Sequence, residues 1–297
     1  MKILISGSGG LIGSALVSYL ESRDHNIYKL VRRKPLSDCE ISLDFEHDSH
    51  AKDKMEGFDA VIHLAGENIG EGRWTGEKKK RILFSRVDGT RLLSERLAAL
   101  RNKPKVFISA SAVGFYGDRG NKKLTEADGK GTGFLADVCS EWEAVCAPAA
   151  EAGIRVVNPR FGVVLSKDAK IIKMLKVLFN LNLGGVIGGG GQYMSWISMH
   201  DLVRAIEFIL LNPRIEGAVN VVSPGPVTNR EFTKSMAKAL RRYAFFRIPS
   251  FIIKIIFGAK GKEMLLFSIR TVPEKLTKLG FCFFDGKINT TLIKLNR

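Results

Sequence analysis

The chain has 297 residues, 45% of them hydrophobic, which is typical of a folded globular protein with a sizeable core and excludes a disordered chain. Its 46 Lys and Arg against 30 Asp and Glu give a net charge of +16. These cations are spread along the chain, so a basic solvated surface is favoured over a nucleic-acid interface. The four cysteines form no C-x-x-C pair, which excludes a zinc-finger pattern, favours a reducing cytoplasm and leaves no metal site to expect.

The first residues predict a strand, a glycine turn and a helix. Residues 1–6 are an apolar run, Gly7, Gly10 and Gly13 stand three apart, and apolar residues then follow at helical spacing. Gly7 permits the turn, Gly10 lets backbone N–H groups approach a pyrophosphate at the helix N-terminus, and Gly13 lets the helix pack against the sheet. The glycines also interrupt the apolar run, so we expect no signal peptide and no membrane partner. This stretch predicts a dinucleotide-binding loop.

The end of the second predicted strand, residues 26–31, indicates which dinucleotide is bound. Arg32 and Arg33 follow it, and no acidic residue stands at the strand tip. An acidic residue there binds the ribose 2′-hydroxyl of NAD, whereas arginine accepts the 2′-phosphate of NADP. The sequence therefore favours NADP (NADPH) as cofactor, with NAD as the less favoured alternative.

Strands and helices alternate after this point. Further strands are expected at 40–45, 59–66, 106–110 and from 154, with helices at 78–100 and 134–152, the last kinked or ended by Pro148. This alternation predicts an α/β Rossmann fold with a doubly wound parallel sheet.

The character of the chain changes near residue 165. We predict an NADP-binding domain over 1–165 and a small C-terminal substrate or lid region over 166–297, mostly helical from 229. The apolar strand at 219–223 is expected to rejoin the main sheet.

Several motifs agree in order and spacing with one known family. Beside the N-terminal glycines stand LAGENI at 64–69, SRVDGT at 85–90, SASAVGFYG at 109–117, Trp142-Glu143 and MSWI at 194–197. Together they resemble the atypical short-chain dehydrogenase/reductases described as epimerase-family, or nucleoside-diphosphate-sugar-epimerase-like, proteins. The resemblance covers nearly the whole chain and implies a Rossmann fold with an NADP-type cofactor.

The resemblance also implies which residues contact the cofactor. It places Gly7, Gly10, Leu11, Ile12 and Gly13 around the pyrophosphate. It places Arg32 near the adenosine phosphate, Leu64, Ala65 and Gly66 under the nicotinamide-side ribose, and the backbone of Val164 at the nicotinamide amide. Arg86 fills the position where typical relatives have asparagine, and an arginine there would favour an anionic group.

Catalysis is where the sequence departs from the family. Typical members use a serine after the fifth strand and a Y-x-x-x-K pair on the next helix, in which the lysine lowers the tyrosine pKa. Ser111, or Ser109, can fill the serine position, but Leu135 and Cys139 occupy the tyrosine and lysine positions. Tyr116 lies near in sequence and is interpreted as structural.

Other polar residues are weaker candidates for moving a proton or facing a substrate. Asp201 is expected to cap a helix, and Trp196 is expected either to line the pocket or to lie in the core. The other candidates for proton transfer or substrate contact are His63, Glu67, Asn68, Asp118, Glu126, Asp137 and His200.

Two functions follow from these observations. The first is an NADP-dependent oxidoreductase or epimerase acting on a small or nucleotide-linked polar substrate, with Ser111 polarising a carbonyl. The second is an NADP-binding sensor or regulatory protein that has lost turnover, because the tyrosine and lysine are missing. Nucleic-acid association is a third and weaker interpretation of the positive charge.

Overall fold

A computed structural model describes residues 1–42 and 53–296 of the chain, without the side chain of Asp53. The strands are β1 Lys2–Ser6, β2 Asn26–Val31, β3 Glu40–Ser42, β4 Ala60–His63, β5 Val106–Ser109, β6 Ser111–Ala112, β7 Lys123–Leu124, β8 Arg155–Phe161, β9 Val163–Leu165, β10 Gly185–Ile187, β11 Tyr193–Met194, β12 Trp196–Ser198, β13 Gly217–Val221, β14 Val227–Thr228, β15 Phe246–Ile248 and β16 Arg270–Thr271. The helices are α1 Leu11–Glu21, α2 Gly76–Ala98, α3 Phe134–Ala144, α4 Ala147–Glu151, α5 Lys170–Asn180, α6 Met199–Leu211, α7 Asn229–Ala239, α8 Ser250–Gly261, α9 Glu274–Lys278 and α10 Ile288–Leu295.

The main sheet is parallel throughout and has the strand order β13-β8-β5-β4-β1-β2-β3, with β6 also paired to β8. The chain moves outward from β1 through β2 to β3 and then returns to the other side of β1 with β4. This reversal creates a crevice at the carboxyl ends of β1 and β4, where ligands bind in such sheets. The predicted Rossmann fold is confirmed.

Both faces of the sheet are buried under helices. Ile3 and Ile5 of β1 belong to the apolar cluster that includes α1 and α6, whereas Leu4 points to the opposite cluster with α2 and α4. Because successive side chains of a strand point to opposite faces, one apolar run contributes to both cores, as expected for a parallel strand covered by helices on both sides.

The helix predicted over 134–152 is two helices. α3 ends at Ala144, and α4 begins at Ala147 with Pro148 in its first turn. Proline is tolerated there because the first N–H groups of a helix have no partner within the helix. Of the strand predicted at 40–45, β3 covers Glu40–Ser42, and residues 43–45 lie outside the described part of the chain.

The chain beyond β9 consists of helices and short strands in two-stranded sheets, apart from β13, which lies at the edge of the main sheet beside β8. The division of the chain near residue 165 stays a prediction. Within residues 1–42 and 53–296, no helix is long and apolar enough to cross a membrane.

Candidate active site

The glycine loop between β1 and α1 is packed against backbone on two sides. Gly7 has a φ of +71°, and a Cβ there would lie 2.7 Å from the backbone nitrogen of Ala65. A Cβ on Gly13 would lie 2.1 Å from the carbonyl oxygen of Gly7. No side chain fits at either position, so the loop can close only with glycine.

The N-terminus of α1 has no side chain to satisfy its first N–H groups. Gly10 occupies the cap position without a side-chain hydrogen bond, and the first turn holds no acidic residue. Leu11 is 38% exposed and Ile12 is half-buried. A helix N-terminus with free N–H groups attracts an anion, so this loop fits a dinucleotide pyrophosphate.

The loop after β4 lies directly against the glycine loop. Its residues Leu64 and Ala65 approach Gly7, and a Cβ on Gly66 would meet the Arg86 guanidinium at 3.2 Å. Arg86 Nη1 donates to the carbonyl oxygens of Glu67 at 3.0 Å and Ile82 at 3.3 Å. Burial lowers the pKa of Arg86 from its ordinary value. Arg86 therefore packs against the loop after β4 and hydrogen-bonds to it. Its contact with the cofactor stays a prediction.

The two arginines after β2 have different surroundings. Arg33 forms a bidentate pair with Glu40, at 2.8 and 2.7 Å, and this hydrogen bond, with that from Leu36, lowers the pKa of the Glu40 carboxyl. Arg32 is exposed and has no hydrogen bond or ion pair within residues 1–42 and 53–296. Of the pair, Arg32 is the one left available for a 2′-phosphate.

A polar row crosses the sheet beneath the glycine loop. Ser6, His63 and Ser109 are register neighbours on β1, β4 and β5, and all are buried. Ser6 Oγ lies 2.5 Å from His63 Nδ1. Within residues 1–42 and 53–296, His63 Nε2 accepts or donates no hydrogen bond, and the Ser109 hydroxyl lies beside the Cys146 thiol. Burial lowers the pKa of His63 to about 4. His63 is therefore a neutral ring inside the sheet and is unsuited to exchange protons with a substrate at neutral pH.

Ser111 opens a buried hydrogen-bonded chain at the carboxyl edge of β5. Its hydroxyl donates to Glu143 Oε1 at 2.6 Å, and Arg160 holds both oxygens of Glu143 at 2.8 and 2.7 Å. Arg160 also donates to the Tyr116 hydroxyl at 2.9 Å, which donates in turn to Asn220 at 2.8 Å. Ser111 is a residue predicted from the sequence, whereas Arg160 is not, and Glu143 has no predicted role.

Burial and mutual contact determine the charge states of the side chains in this hydrogen-bonded chain. Burial alone would lower the pKa of Arg160, but hydrogen bonding and charge attraction from Glu143, with a contribution from Tyr116, raise it above its ordinary value. Burial raises the pKa of Tyr116, and Arg160 only partly opposes this. Tyr116 is thus a neutral phenol with both hydrogen-bonding roles occupied, which agrees with its interpretation as structural.

The two positions that carry tyrosine and lysine in typical relatives are apolar here. A Cβ on Gly114 would meet Leu135 Cβ at 3.2 Å, so Leu135 packs against that turn. Cys139 is buried, and burial raises the pKa of its thiol to about 11. Neither side chain can act as an acid or base at neutral pH.

The remaining acid/base candidates serve as anchors. The Asp118 carboxylate accepts from the N–H groups of Gly120 and Ser268, and Glu126 accepts from those of Asn220 and Lys275. Asp137 pairs with Lys130 at 2.5 Å at the surface. Asp118 and Glu126 therefore fasten segments of backbone, whereas Asp137 forms a side-chain ion pair.

The expected helix cap at Asp201 is wrong. Ser198 is the N-cap of α6 and accepts from the N–H of Asp201 at 3.1 Å. Asp201 is buried and accepts from the N–H groups of Phe284 and Asp285, and from Arg204. Its carboxylate therefore joins α6 to the segment before α10.

Glu67 and Asn68 lie in the loop after β4. Lys78 donates to Glu67 at 2.6 Å and Arg81 lies 3.8 Å away; the Lys78 hydrogen bond lowers the pKa of Glu67. Asn68 accepts from the N–H of Gly70 and shapes the turn. Trp196 is fully buried and donates to the Gly225 carbonyl, so it belongs to the core.

The C-terminal region is hydrogen-bonded to the loop after β4 and to the N-terminus of α3. Arg73 donates to the Ile255 carbonyl at 2.9 Å, and Lys260 donates to the carbonyls of Gly70 and Gly72. The Glu263 carboxylate accepts from the N–H groups of Phe134 at 3.0 Å and Leu135 at 2.9 Å. Val164 lies on β9, which pairs with β12, and is half-buried.

A groove of about 670 Å³ runs along the outer side of α1, beside the glycine loop. It is lined by Leu11, Ser14 and Ser18 of α1, and across from them by His200, Asp285 and Lys294. His200 is thus placed in this groove, on the side of α1 away from the sheet, rather than beside Ser111.

Comparison with known proteins decides the family. The profile of the NAD dependent epimerase/dehydratase family matches residues 3–222, and that of a domain of unknown function, DUF1731, matches residues 248–294. The chain belongs to the NAD dependent epimerase/dehydratase family. The predicted resemblance is confirmed.

Members of this epimerase family match along nearly the whole chain. An epimerase family protein of Mycobacterium leprae is 39% identical over 290 residues, covering 98% of this chain and 94% of its own. The structure of human epimerase family protein SDR39U1, solved with NADPH, is similar with a TM-score of 0.90 at 28% identity, covering 100% of this chain and 99% of that one. A nucleoside-diphosphate sugar epimerase from Corynebacterium glutamicum has a TM-score of 0.80 at 34% identity, covering 100% of this chain and 58% of that one.

Proposed function

We propose that this epimerase-family chain binds NADPH across the carboxyl ends of β1, β2 and β4. The observation that carries the proposal is the glycine loop, in which the N-terminus of α1 has free N–H groups and no room for a Cβ at Gly7 or Gly13. Gly7, Gly10, Leu11, Ile12 and Gly13 would hold the pyrophosphate. The human relative solved with NADPH supports the same cofactor.

Arg32 is proposed to select NADPH over NADH. Its guanidinium has no partner in the described part of the chain, whereas Arg33 is held by Glu40. A guanidinium forms charge-assisted hydrogen bonds with a phosphate. Leu64, Ala65, Gly66 and the Val164 backbone would then lie along the nicotinamide half.

The proposed activity is that of an oxidoreductase or epimerase on a small or nucleotide-linked polar substrate. When bound, the nicotinamide supplies or accepts a hydride. Ser111 is proposed to donate a hydrogen bond to the substrate oxygen. In a reduction the Ser111 proton would pass to that oxygen as the hydride arrives, and solvent would reprotonate Ser111. In an oxidation Ser111 would take the substrate hydroxyl proton while its own proton passed to Glu143, which pairs with Arg160. This arrangement would replace the missing tyrosine and lysine with a serine–carboxylate–arginine chain.

An NADPH-binding sensor or regulatory protein is the second candidate. The apolar Leu135 and the buried Cys139 thiol in the usual acid/base positions favour it. Under either function, we propose a cytoplasmic location, which the four free cysteines support.

Titration of the purified protein with NADPH and NADH tests cofactor binding and choice. We expect Arg32→Ala to weaken NADPH binding by about 1.5–3 kcal/mol and to leave NADH binding nearly unchanged. Arg33→Ala is the matched control, because Arg33 is held by Glu40. Equal weakening of both cofactors by Arg32→Ala would exclude the 2′-phosphate role.

Incubation of the NADPH-loaded protein with cell extract separates the two candidates. Mass spectrometry of the bound cofactor should show NADP⁺ if the protein is a reductase whose substrate is present. Unchanged NADPH would favour the sensor over a simple reductase. Failure to bind either cofactor would overturn the interpretation of residues 7–13.

A further inference from the structure

Residues 171–183, which include most of helix α5, and residues 241–256 expose many large apolar side chains. Phe245 is 81% exposed, Tyr243 70%, Ile255 68%, Leu181 62% and Phe251 61%. We call this surface the basic apolar face. Its exposed apolar residues are Ile171, Met174, Val177, Leu181, Leu183, Tyr243, Phe245, Phe246, Phe251, Ile255 and Ile256.

The segments of the basic apolar face are connected to one another at both ends. Beyond the C-terminus of α5, β10 pairs with β15, and Arg242 Nε lies 3.5 Å from Asn180 Oδ1. At the other end, the loop after β4 contacts both helices, through an ion pair of Glu71 with Lys170 and a hydrogen bond from Arg73 to Ile255. The two segments are thus linked at both ends, and their exposed apolar side chains lie on neighbouring parts of the surface.

The helices of this face expose apolar side chains in addition to those that they bury. In α8, Ile253 is buried, whereas Phe251 and Ile255, four residues apart, are exposed. In α5, Ile172 and Phe179 are buried, whereas Ile171, Met174 and Val177 are exposed. Each helix therefore has an apolar side in the core and a second apolar side facing solvent. Exposed apolar patches of this kind mark interaction sites.

The charge of the face is mostly positive, although Lys170 and Lys173 of α5 pair with Glu71 and Asp168. Residues 169–200 and 232–262 contain eleven Lys and Arg and no Asp or Glu. Across the part of the chain that the structure describes, Arg241, Arg242, Arg247, Lys254 and Lys260 form no ion pair; those with hydrogen bonds donate to neutral oxygens. The cations of residues 241–260 therefore have no acidic partner within residues 1–42 and 53–296.

We propose that the basic apolar face docks on the surface of an anionic lipid bilayer. Its aliphatic and aromatic side chains would enter the boundary between headgroups and acyl chains, and its cations would meet the anionic headgroups. The rings of Tyr243 and Phe245 stack with their centroids 5.2 Å apart, next to Arg241 and Arg242. Aromatic side chains are enriched at the interface between membrane and water. Contact with a bilayer surface requires no membrane-spanning helix, and this proposal departs from the expectation of no membrane partner.

Two other occupants fit the face less well. A second copy of the chain, docked face to face, would place like charges opposite one another, which costs free energy. A nucleic acid would match the charge and the stacked rings, but it would leave Ile255, Leu181 and their aliphatic neighbours uncovered. Charge and apolar area together favour the bilayer.

Vesicle co-sedimentation of the full chain tests the proposal. We expect binding to vesicles of phosphatidylcholine with phosphatidylglycerol, weakened by salt, and little binding to phosphatidylcholine alone. The double variant Phe245→Ser and Phe251→Ser should bind the anionic vesicles about tenfold less tightly. The double variant Phe84→Ser and Leu211→Ser, which changes side chains 52% and 58% exposed elsewhere, should bind like the unaltered chain.

The charge contribution is tested with a second pair of variants. Arg241→Gln with Arg242→Gln should weaken anionic-vesicle binding by roughly fivefold for each cation removed. Arg101→Gln with Lys103→Gln lowers the net charge equally at a distant exposed turn and should have little effect. Unaltered unfolding transitions in all four variants show that the fold is retained.

Three results would overturn the proposal. The first is no difference between anionic and neutral vesicles. The second is equal loss of binding in the face variants and their controls. The third is a free chain that is a concentration-dependent dimer, or binds single-stranded RNA, through Phe245 and Phe251 while failing to bind vesicles.

Discussion

The close approach of Gly13 to the Gly7 carbonyl makes the glycine loop sensitive to one methyl group. Because a Cβ on Gly13 would lie 2.1 Å from that oxygen, Gly13→Ala must shift α1 away from the sheet. We expect a loss of about 1–3 kcal/mol of unfolding free energy, as for overpacked sites, and loss of NADPH binding. Denaturant unfolding and cofactor titration measure both effects.

Gly9 provides the matched control for this prediction. A Cβ at Gly9 would meet no atom of residues 1–42 or 53–296 within 4 Å, and the φ of Gly9 is not in the left-handed region. Gly9→Ala should therefore leave both stability and NADPH affinity close to those of the unaltered chain. Equal effects of the two substitutions would mean that the loop itself, rather than the packing at Gly13, is sensitive to alanine.

Buried His63 makes stability depend on pH. Burial lowers its pKa from 6.5 to about 4, so between these values the unfolded chain binds a proton that the folded chain does not. Its contribution is fully present above pH 6.5 and is lost as the pH falls toward 4. The full loss is on the order of 3 kcal/mol, of which about 2 kcal/mol falls between pH 7.5 and pH 5. Urea unfolding at these two pH values measures it.

A substitution at His63 separates its effect from those of other groups. His63→Gln should reduce the difference in stability between the two pH values, although partly buried His25, whose pKa burial also lowers, contributes in the same direction. His200→Gln changes a side chain that is 56% exposed and should leave the difference intact. An unchanged difference in His63→Gln would contradict this account.

At the scale of elements, the N-terminus of α3 depends on a residue from the C-terminal region. Glu263 accepts from the N–H groups of Phe134 and Leu135, and Gly133 before them provides no cap. We expect Glu263→Ala to cost about 0.5–2 kcal/mol, as for other lost caps, and to speed amide hydrogen exchange in the first turn of α3. Glu274→Ala, which removes an exposed pair with Lys278, should do neither.

Local sequence patterns predicted the elements that build the cofactor crevice, but not the contacts that complete the site. The apolar run of β1, the three glycines and the apolar spacing of α1 are adjacent in sequence, so periodicity alone locates them. The Ser111–Glu143 and Glu263–Leu135 contacts join residues 32 and 128 positions apart, and no local pattern reports such a pairing. Arg160 is the one residue whose sequence position indicated such a contact. It lies on a predicted strand of the sheet, and a buried charge requires a carboxylate partner.

At the scale of the whole molecule, the sheet is completed from beyond the predicted domain boundary. β13 pairs with β8 over Gly217–Val221, and α6 packs on α1 against the same face of the sheet. A boundary near residue 165 therefore divides the chain by the character of its sequence. It does not coincide with the end of the core that the sheet and these helices share.

This shared core predicts how fragments behave. A fragment of residues 1–165 lacks β13 and α6. It would therefore expose β8 as a sheet edge and uncover the apolar side chains of α1 that pack against Ile206 and its neighbours on α6. We expect it to aggregate or to unfold without a cooperative transition, whereas a fragment of residues 1–228 keeps the sheet and α6 and should retain more native structure. Circular dichroism, denaturant unfolding and NADPH titration of both fragments measure this. Cooperative unfolding and cofactor binding by residues 1–165 alone would mean that α1 and the sheet hold together without α6 and β13, and the sequence boundary would then be the physical one.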